Sequence, residues 1–235
     1  MSGGFADALE AVRDVEGWMT DAQAHRLWEC AAAVPAGGHV LEIGSFRGRS
    51  AIVLARAAPE GAHVSAVDPH AGGDRGPQEI EPDRERGESD YAAFHANLAR
   101  AGVAERVRHV RLSSADALDE VQGPLDLLYV DGAHRYAPAR DDIARWGGRV
   151  KPGGRMLIHD AFSSIGVTLA ILRVLLGPGS GWRYAGRTGS LAEYVHAPGG
   201  IRHTARHLAE LPWFVRNVFV KVLIVLRLRK GSWPY

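Results

Sequence analysis

Two apolar stretches of the sequence end in closely spaced Asp and His residues. The first, DLLYVDGAHRY (residues 126–136), carries Asp131 and His134 just after its apolar part. The second, RMLIHDAF, carries His159 and Asp160 in the same place. Two carboxylates and an imidazole can hold a divalent cation, and a further imidazole titrates near neutral pH and can take a proton. The two stretches therefore predict a site of metal-assisted or acid–base chemistry.

We expect Asp131, His159 and Asp160 to bind the cation and His134 to act as general base, with Asp131 also part of the catalytic machinery. A cation bound to a substrate hydroxyl lowers the pKa of that hydroxyl and helps to form a nucleophile. Magnesium prefers oxygen ligands, so His159 favours manganese or another transition ion unless its ring faces the substrate. The structural alternative is that Asp131 caps a turn and His159 is a core histidine bonded to the backbone.

The rest of the chain alternates strand-like and helix-like segments, which is typical of an α/β fold. Five strand–helix units predict a doubly wound, mostly parallel sheet whose ligands bind at the carboxyl ends of the strands. A last pair of strand-like segments, WRYAGRTG and LAEYVH, brings the total to seven. The predicted strand ends carry polar or glycine residues, namely Glu42, Gly44, Asp68, Asp131, His159 and Asp160.

A glycine-containing turn follows the first strand, in the stretch VLEIGSFRGRSA. Gly44 and Gly48 let the backbone approach a ligand closely, and the amides at the start of the next helix face it. Their spacing departs from the G-x-G-x-x-G fingerprint of dinucleotide sites, which favours a smaller anion such as an amino-acid carboxylate. Ser50 can add a hydroxyl donor, and Glu42 could hold an ammonium group.

Two later strand ends add a nucleoside-type pattern. Asp68 ends the second strand and could accept hydrogen bonds from both ribose hydroxyls. The stretch SSAD, residues 113–116, follows the third strand and could line a purine ring. An Asp at a strand end is often only a helix cap, but the elements together, in this order, predict an adenosine attached to an amino acid.

The stretches EIGSFRGRS, AVDP, DLLYVDGAHRYAPARDDIARW and VKPGGRMLIHDAF resemble class I S-adenosylmethionine-dependent methyltransferases, over about residues 15–196. The resemblance is closest to the metal-dependent sugar and macrolide O-methyltransferase branch. It implies a Rossmann-like sheet with an antiparallel last strand, S-adenosyl-L-methionine as cofactor, and a divalent cation (Mg²⁺ or Mn²⁺). It supports the metal and base roles given above, although the first member of the His159–Asp160 pair is usually acidic. The cofactor contacts it implies are Glu42, Gly44, Phe46, Gly48, Ser50, Asp68, Ser114 and Ala115.

Length, charge and cysteine content restrict the class of protein. The 235 residues suffice for one α/β domain with a small appendage. We assign residues 1–200 to the cofactor-binding domain and residues 201–235 to a basic, apolar tail. The tail has seven basic residues and one acidic residue, whereas the body has 21 basic and 26 acidic residues, which argues against a nucleic-acid partner. Cys30 is the only cysteine, so a reducing cytoplasm is expected.

The tail has the composition of an apolar helix with basic residues. Its apolar run from Trp213 to Leu228 is 16 residues long, short of the roughly 20 needed to span a bilayer. An aromatic start and a basic end suit a helix in a membrane interface, which predicts contact of residues 205–230 with the inner face of the membrane. The alternative is that this helix packs on the domain or in a homo-oligomer interface.

The predicted function is S-adenosylmethionine-dependent, divalent-metal-assisted O-methylation of a small molecule. The expected acceptor is a hydroxyl of a sugar, a glycolipid or another polyhydroxylated compound. Two alternatives belong to other classes. An NAD-dependent oxidoreductase of Rossmann type would need the missing third glycine, and a non-catalytic binding protein on the same fold would use the tail for recruitment to a membrane.

Overall fold

The computed structural model describes residues 4–73, 80–177 and 179–226, which form a seven-stranded sheet with helices on both faces. The strands are β1 (His39–Ile43), β2 (His63–Val67), β3 (Val107–Val110), β4 (Leu125–Val130), β5 (Val150–Ile158), β6 (Trp182–Thr188) and β7 (Leu191–His196). The helices are α1 (Phe5–Ala11), α2 (Asp21–Ala32), α3 (Arg49–Ala57), α4 (Arg84–Arg100), α5 (Tyr136–Gly147), α6 (Ile165–Leu175), α7 (Ile201–Leu208) and α8 (Leu211–Val225).

The strand order is β3-β2-β1-β4-β5-β7-β6. The first five strands pair in parallel, and β7 lies antiparallel to both β5 and β6. The chain thus winds outward from β1 in one direction and then from β4 in the other, which puts a topological switch point between these two strands. This order confirms the predicted doubly wound, mostly parallel sheet.

Both faces of the sheet are buried, which explains why the central strands are almost continuously apolar. Val40, Leu127 and Leu157 face a core shared with α1 to α4. Their sequence neighbours Leu41, Leu128 and Ile158 face the second core, which includes side chains of α5 and α6. Successive strand residues point to opposite faces, so each of these strands anchors both layers.

The C-terminal part of the described chain packs on the sheet through α7 and α8. The side chain of His203 accepts a hydrogen bond from the backbone N–H of Tyr184, and His207 Nε2 lies 2.6 Å from the hydroxyl of Tyr194. No helix among the described residues is long and apolar enough to cross a membrane. The last predicted tail residues, 227–235, lie outside the described ranges, and the division into two domains stays a prediction.

Several local expectations differ from the structure. The helices α1 and α7 are not among the expected elements, because they are short, at seven and eight residues. The composition of the stretch SADALDEV predicts a helix, but the stretch contains only a short 3-10 turn at Asp116–Leu118. The charge and the Gly and Pro content of residues 70–90 predict a loop, but helix α4 already begins at Arg84. Asp83 caps that start by accepting a hydrogen bond from the backbone N–H of Arg86.

Candidate active site

The carboxyl ends of the central strands lie in register along one edge of the sheet. The hydrogen-bond ladder continues one residue past each strand: the amide of Gly44 donates to Val67, and the amide of Asp131 donates to Ile43. The amide of His159 donates in the same way to the carbonyl of Val130. The residues predicted to do chemistry are therefore fixed by backbone pairing at adjacent strand ends, as parallel topology requires.

A cavity of about 530 Å³ opens above this edge. Its volume falls in the usual range for small-molecule and cofactor sites. Nine of the predicted site residues line it, whereas Glu42, Gly48 and Ala115 are not among the lining residues. The nine are Gly44, Phe46, Ser50, Asp68, Ser114, Asp131, His134, His159 and Asp160.

The glycine turn after β1 has a backbone that few residues can adopt. Gly44 has φ +83°, and a Cβ added there would lie 2.2 Å from the carbonyl oxygen of Asp131. Only glycine therefore allows the β1 turn to pass so close to the β4 turn. Phe46 also has positive φ, at 45°, and its ring contacts that of Trp18 at 5.4 Å between centroids.

Asp68 holds the glycine turn through its side chain. Its Oδ2 accepts hydrogen bonds from the amides of Ser45, at 2.9 Å, and Phe46, at 2.8 Å, and its Oδ1 accepts one from the amide of His70 at 2.7 Å. Asp68 thus organises two loops at once while it lines the cavity. The ribose contact expected of Asp68 stays a prediction.

Glu42 is placed differently from the sequence-based expectation. Its side chain is fully buried beneath the turn, and within the described residues neither carboxyl oxygen completes a hydrogen bond. Burial raises the pKa of Glu42 to about 8, although the nearby hydroxyls of Ser50 and Ser45 oppose the rise. Glu42 is thus largely neutral at pH 7 and is not among the residues that line the cavity, and its expected contact with an ammonium group stays a prediction.

Asp131 lies between a tyrosine and a histidine. The hydroxyl of Tyr129 donates to Oδ2 of Asp131 at 2.7 Å, and Nδ1 of His159 lies 3.1 Å from Oδ1. The same nitrogen is 3.7 Å from Oδ2 of Asp160. Burial lowers the pKa of His159, but the two carboxylates outweigh it and raise that pKa well above its ordinary value. The two aspartates thus favour the protonated form of the His159 ring.

His134 and Asp160 form a second pair. Nε2 of His134 lies 2.5 Å from Oδ2 of Asp160, and both side chains line the cavity. Burial lowers the pKa of His134, but the hydrogen bond and the charge of Asp160 outweigh it and raise the pKa. Nδ1 of His134 is buried and has no hydrogen-bond partner among the described residues. With Nε2–H donated to Asp160, Nδ1 keeps the lone pair that a general base needs.

The turn that carries Asp160 has an unusual backbone and is held from outside the sheet. Asp160 and Phe162 have φ of 54° and 56°, left-handed values that are costly for side-chain-bearing residues. Two side chains of α8 bind this turn. Asn217 Nδ2 donates to the carbonyl of Phe162 at 3.1 Å, and Lys221 Nζ donates to the carbonyl of Ser163 at 2.8 Å.

The arrangement does not fit the metal site predicted from Asp131, His159 and Asp160. Among the described residues, no group of three or more His, Cys, Asp or Glu side chains is placed to hold a metal ion. Tyr129 and His159 take the two oxygens of Asp131, and His134 takes Oδ2 of Asp160.

Asp142 and Trp18 are two of the cavity residues that escaped the sequence-based prediction. Asp142 of α5 is buried and accepts a hydrogen bond from the hydroxyl of Ser114, and burial raises the pKa of Asp142 to about 6. A signal was present, since Asp142 shares its helix face with buried Ala139, Ile143 and Trp146. Trp18, which precedes α2, also lines the cavity, and no pattern in its irregular segment marked it.

Comparison with known proteins identifies the family. A family model described as "Methyltransferase domain" matches residues 41–161. The chain belongs to this methyltransferase family. The match covers β1 to β5 and both Asp–His pairs, and it leaves the NAD-dependent alternative without support. It confirms the family predicted from the sequence motifs.

Solved structures share the fold of this methyltransferase at low sequence identity. Cofactor-bound Rv0187 from MTB is 23% identical with a TM-score of 0.58, and the match covers 82% of this chain and 89% of that one. The O-methyltransferase TomG from Streptomyces achromogenes, involved in tomaymycin synthesis and solved with SAM, is 21% identical with a TM-score of 0.56 over 82% and 89%. An O-methyltransferase from Bacillus cereus in complex with SAH is 18% identical with a TM-score of 0.57 over 81% and 90%.

Proposed function

We propose that the protein is an S-adenosylmethionine-dependent O-methyltransferase in which the His134–Asp160 pair removes the proton of an acceptor hydroxyl. The observation that carries the proposal is the unpartnered Nδ1 of His134, in a cavity that also contains the glycine turn. The names of two structural relatives, which are O-methyltransferases solved with SAM or SAH, support the cofactor and the acceptor atom.

The proposed reaction is a methyl transfer coupled to removal of a proton from the acceptor. The acceptor oxygen attacks the sulfonium methyl group of the cofactor, a C–O bond forms, the C–S bond breaks, and S-adenosylhomocysteine leaves. The hydroxyl proton passes to Nδ1 of His134. Asp160 accepts Nε2–H, fixes the tautomer and stabilises the imidazolium that forms, as a carboxylate does for a catalytic histidine.

The two carboxylates near the reacting atoms have separate roles in this proposal. Asp160 orients the base, whereas Asp131 is held by Tyr129 and His159 and shapes the wall beside it. No step is assigned to a metal ion, because no group of three metal-ligating side chains is placed to hold one among the described residues.

The acceptor class proposed is a small polyhydroxylated molecule, such as a sugar or the sugar part of a glycolipid. The support is chemical: histidine, aspartate and serine side chains line the cavity beside apolar surface, and such groups can hydrogen-bond several hydroxyls of one acceptor. A catechol-like or other aromatic hydroxyl is the competing acceptor.

The test separates cofactor binding from methyl transfer. Calorimetry with S-adenosylhomocysteine should show binding to the wild type and to His134→Ala with affinities within about threefold of each other. Methyl transfer from labelled S-adenosylmethionine across a panel of sugar and aromatic acceptors should be strong in the wild type and nearly absent in His134→Ala. Full transfer by His134→Ala would contradict the base, and failure to bind S-adenosylhomocysteine would contradict the cofactor.

A further inference from the structure

We infer that the outer face of α8 docks on the surface of an anionic phospholipid bilayer. Four large apolar side chains of this helix are exposed at helical spacing: Val215 is 64% exposed, Phe219 63%, Val222 47% and Leu226 60%. Positions i, i+4, i+7 and i+11 of a helix lie within one narrow sector. The four residues, called here the α8 stripe, therefore form one continuous apolar band.

The opposite face of α8 is anchored, so the stripe is fixed in orientation. Asn217 and Val220 are buried, and Asn217 and Lys221 bind the turn after β5. A helix held in this way cannot rotate to hide its apolar band against the domain. Contiguous exposed apolar surface on a protein usually marks an interaction site.

The charges around the stripe point to a lipid surface as the occupant. Arg202, Arg206 and Arg216 are exposed on α7 and α8. The only carboxylate among the described residues of the two helices, Glu210, is engaged by Arg187 and by the hydroxyl of Tyr184. In the sequence, three more cations follow the stripe at Arg227, Arg229 and Lys230. An apolar band flanked by cations is the pattern of helices that lie in an anionic membrane interface.

The same charges disfavour a second copy of this chain. A two-fold interface brings the same surface of both protomers together. The cations beside the stripe would then enter the interface from both protomers, and within residues 201–226 the one carboxylate, Glu210, is already engaged by Arg187. Like charges brought together at an interface weaken association, whereas anionic lipid headgroups would neutralise them.

The test measures vesicle binding with the full chain, and it does not depend on methyl transfer. In a sedimentation assay, the wild type should bind vesicles of phosphatidylcholine that contain about a third phosphatidylglycerol. It should bind vesicles of pure phosphatidylcholine at least tenfold more weakly. Phe219→Ser should weaken binding to the anionic vesicles about tenfold, the factor that corresponds to losing roughly one buried aromatic side chain. Arg216→Gln should weaken it about threefold to fivefold, since each cation near such a surface contributes about 1 kcal/mol.

The matched control is Leu112→Ser, which removes an exposed leucine after β3, on a different part of the surface. It should leave vesicle binding unchanged. Calorimetry with S-adenosylhomocysteine, run on every variant, shows whether the fold and the cofactor site persist. The proposal would be overturned if the wild type bound both vesicle types equally or bound neither. It would also be overturned if Phe219→Ser and Leu112→Ser weakened vesicle binding equally. A concentration-dependent dimer that Phe219→Ser abolishes in the absence of lipid would overturn it as well.

Discussion

The two ends of the cavity are held together by different kinds of contact. At the glycine turn, Asp68 binds backbone amides, and Gly44 removes a side chain where two loops meet. At the other end, Asp131, His134, His159 and Asp160 bind one another through their side chains. The geometry of the first end therefore depends on backbone conformation, and the geometry of the second end depends on the protonation states of its side chains. A change of shape should affect binding, whereas a change of charge should affect the rate and its pH dependence.

The largest effect is expected from Gly44→Ala. The new Cβ would lie 2.2 Å from the carbonyl oxygen of Asp131, so both turns must move. We expect a loss of at least about 3 kcal/mol in the free energy of unfolding, together with loss of S-adenosylhomocysteine binding. Denaturant unfolding and calorimetry measure the two effects.

Gly37→Ala is the matched control for that substitution. Gly37 also has positive φ, at +73°, but an added Cβ meets nothing within 4 Å. It should cost only about 1–2 kcal/mol, the usual penalty of a left-handed conformation for alanine. Equal losses at the two glycines would show that the close approach at Gly44 has no special weight.

The second largest effect is expected from His134→Ala, which removes the proposed base. The turnover number should fall by about 10²- to 10⁴-fold, the usual contribution of general base catalysis. Binding of S-adenosylhomocysteine should change little, because the described contacts of this ring are with Asp160 rather than with the glycine turn. Steady-state kinetics and calorimetry on the same preparation check the separation, and a parallel loss of both would mean that His134 has a structural role at both ends.

Asp160→Asn should shift the midpoint of the pH–rate profile in addition to lowering the maximum turnover number. The base works when neutral, and Asp160 raises the pKa of His134, so wild-type activity should rise with pH through a midpoint above the ordinary histidine value. Removing the carboxylate charge lowers that pKa, so the midpoint should move to lower pH. Asparagine tolerates left-handed φ, so the turn should persist. A pH–rate profile with an unmoved midpoint would argue against the pair.

A smaller effect is expected from Lys221→Met, which removes the hydrogen bond to the carbonyl of Ser163. The methionine stem fills similar space, so we expect about 1–2 kcal/mol of lost stability and a turnover reduced severalfold with S-adenosylhomocysteine binding unchanged. Thermal unfolding and kinetics measure these changes. The control is Arg13→Met, which removes an exposed ion pair between α1 and the following turn. It should change neither stability nor turnover.

No effect at all is expected from a chelator. The proposed proton transfer uses the His134–Asp160 pair and no metal ion, so turnover after treatment with EDTA and dialysis should equal that before it. Activity that disappears with EDTA and returns with Mg²⁺ or Mn²⁺ would restore the metal-assisted mechanism predicted from the sequence.

Much of the fold could be predicted because strand patterning and topology carry it. Apolar runs such as Leu125–Val130 can be recognised in the sequence, and a parallel strand order brings the carboxyl ends of these strands to one edge of the sheet. That logic also placed Asp131, His134, His159 and Asp160 in a common cavity. It could not predict the partners of each atom, because Asp, His and Asp around a site suit either a cation or a proton. The side-chain contacts of each carboxylate depend on tertiary packing, as the burial of His159 between Asp131 and Asp160 illustrates.

The placements of Glu42 and Ala115 have separate physical causes. Glu42 was expected to reach a ligand because it ends a strand, but strand residues alternate between faces, and its fully buried side chain is not among the groups that line the cavity. Ala115 was assigned by family resemblance and does not line the cavity, whereas its neighbour Ser114 does. The grip of Asn217 and Lys221 on the turn after β5 links positions 55 and 58 residues apart along the chain, a separation that no local pattern reveals.

That long-range grip has a consequence for biosynthesis. The Asp160 turn emerges from the ribosome well before Asn217 and Lys221 do. At a translation rate of ~5–20 residues per second, the turn waits roughly 3–12 seconds for its clamp. During that interval the costly left-handed residues lack the two hydrogen bonds from α8. The chain should therefore reach full activity only after α8 has been made, and products terminated before α8 should be less active than the full chain.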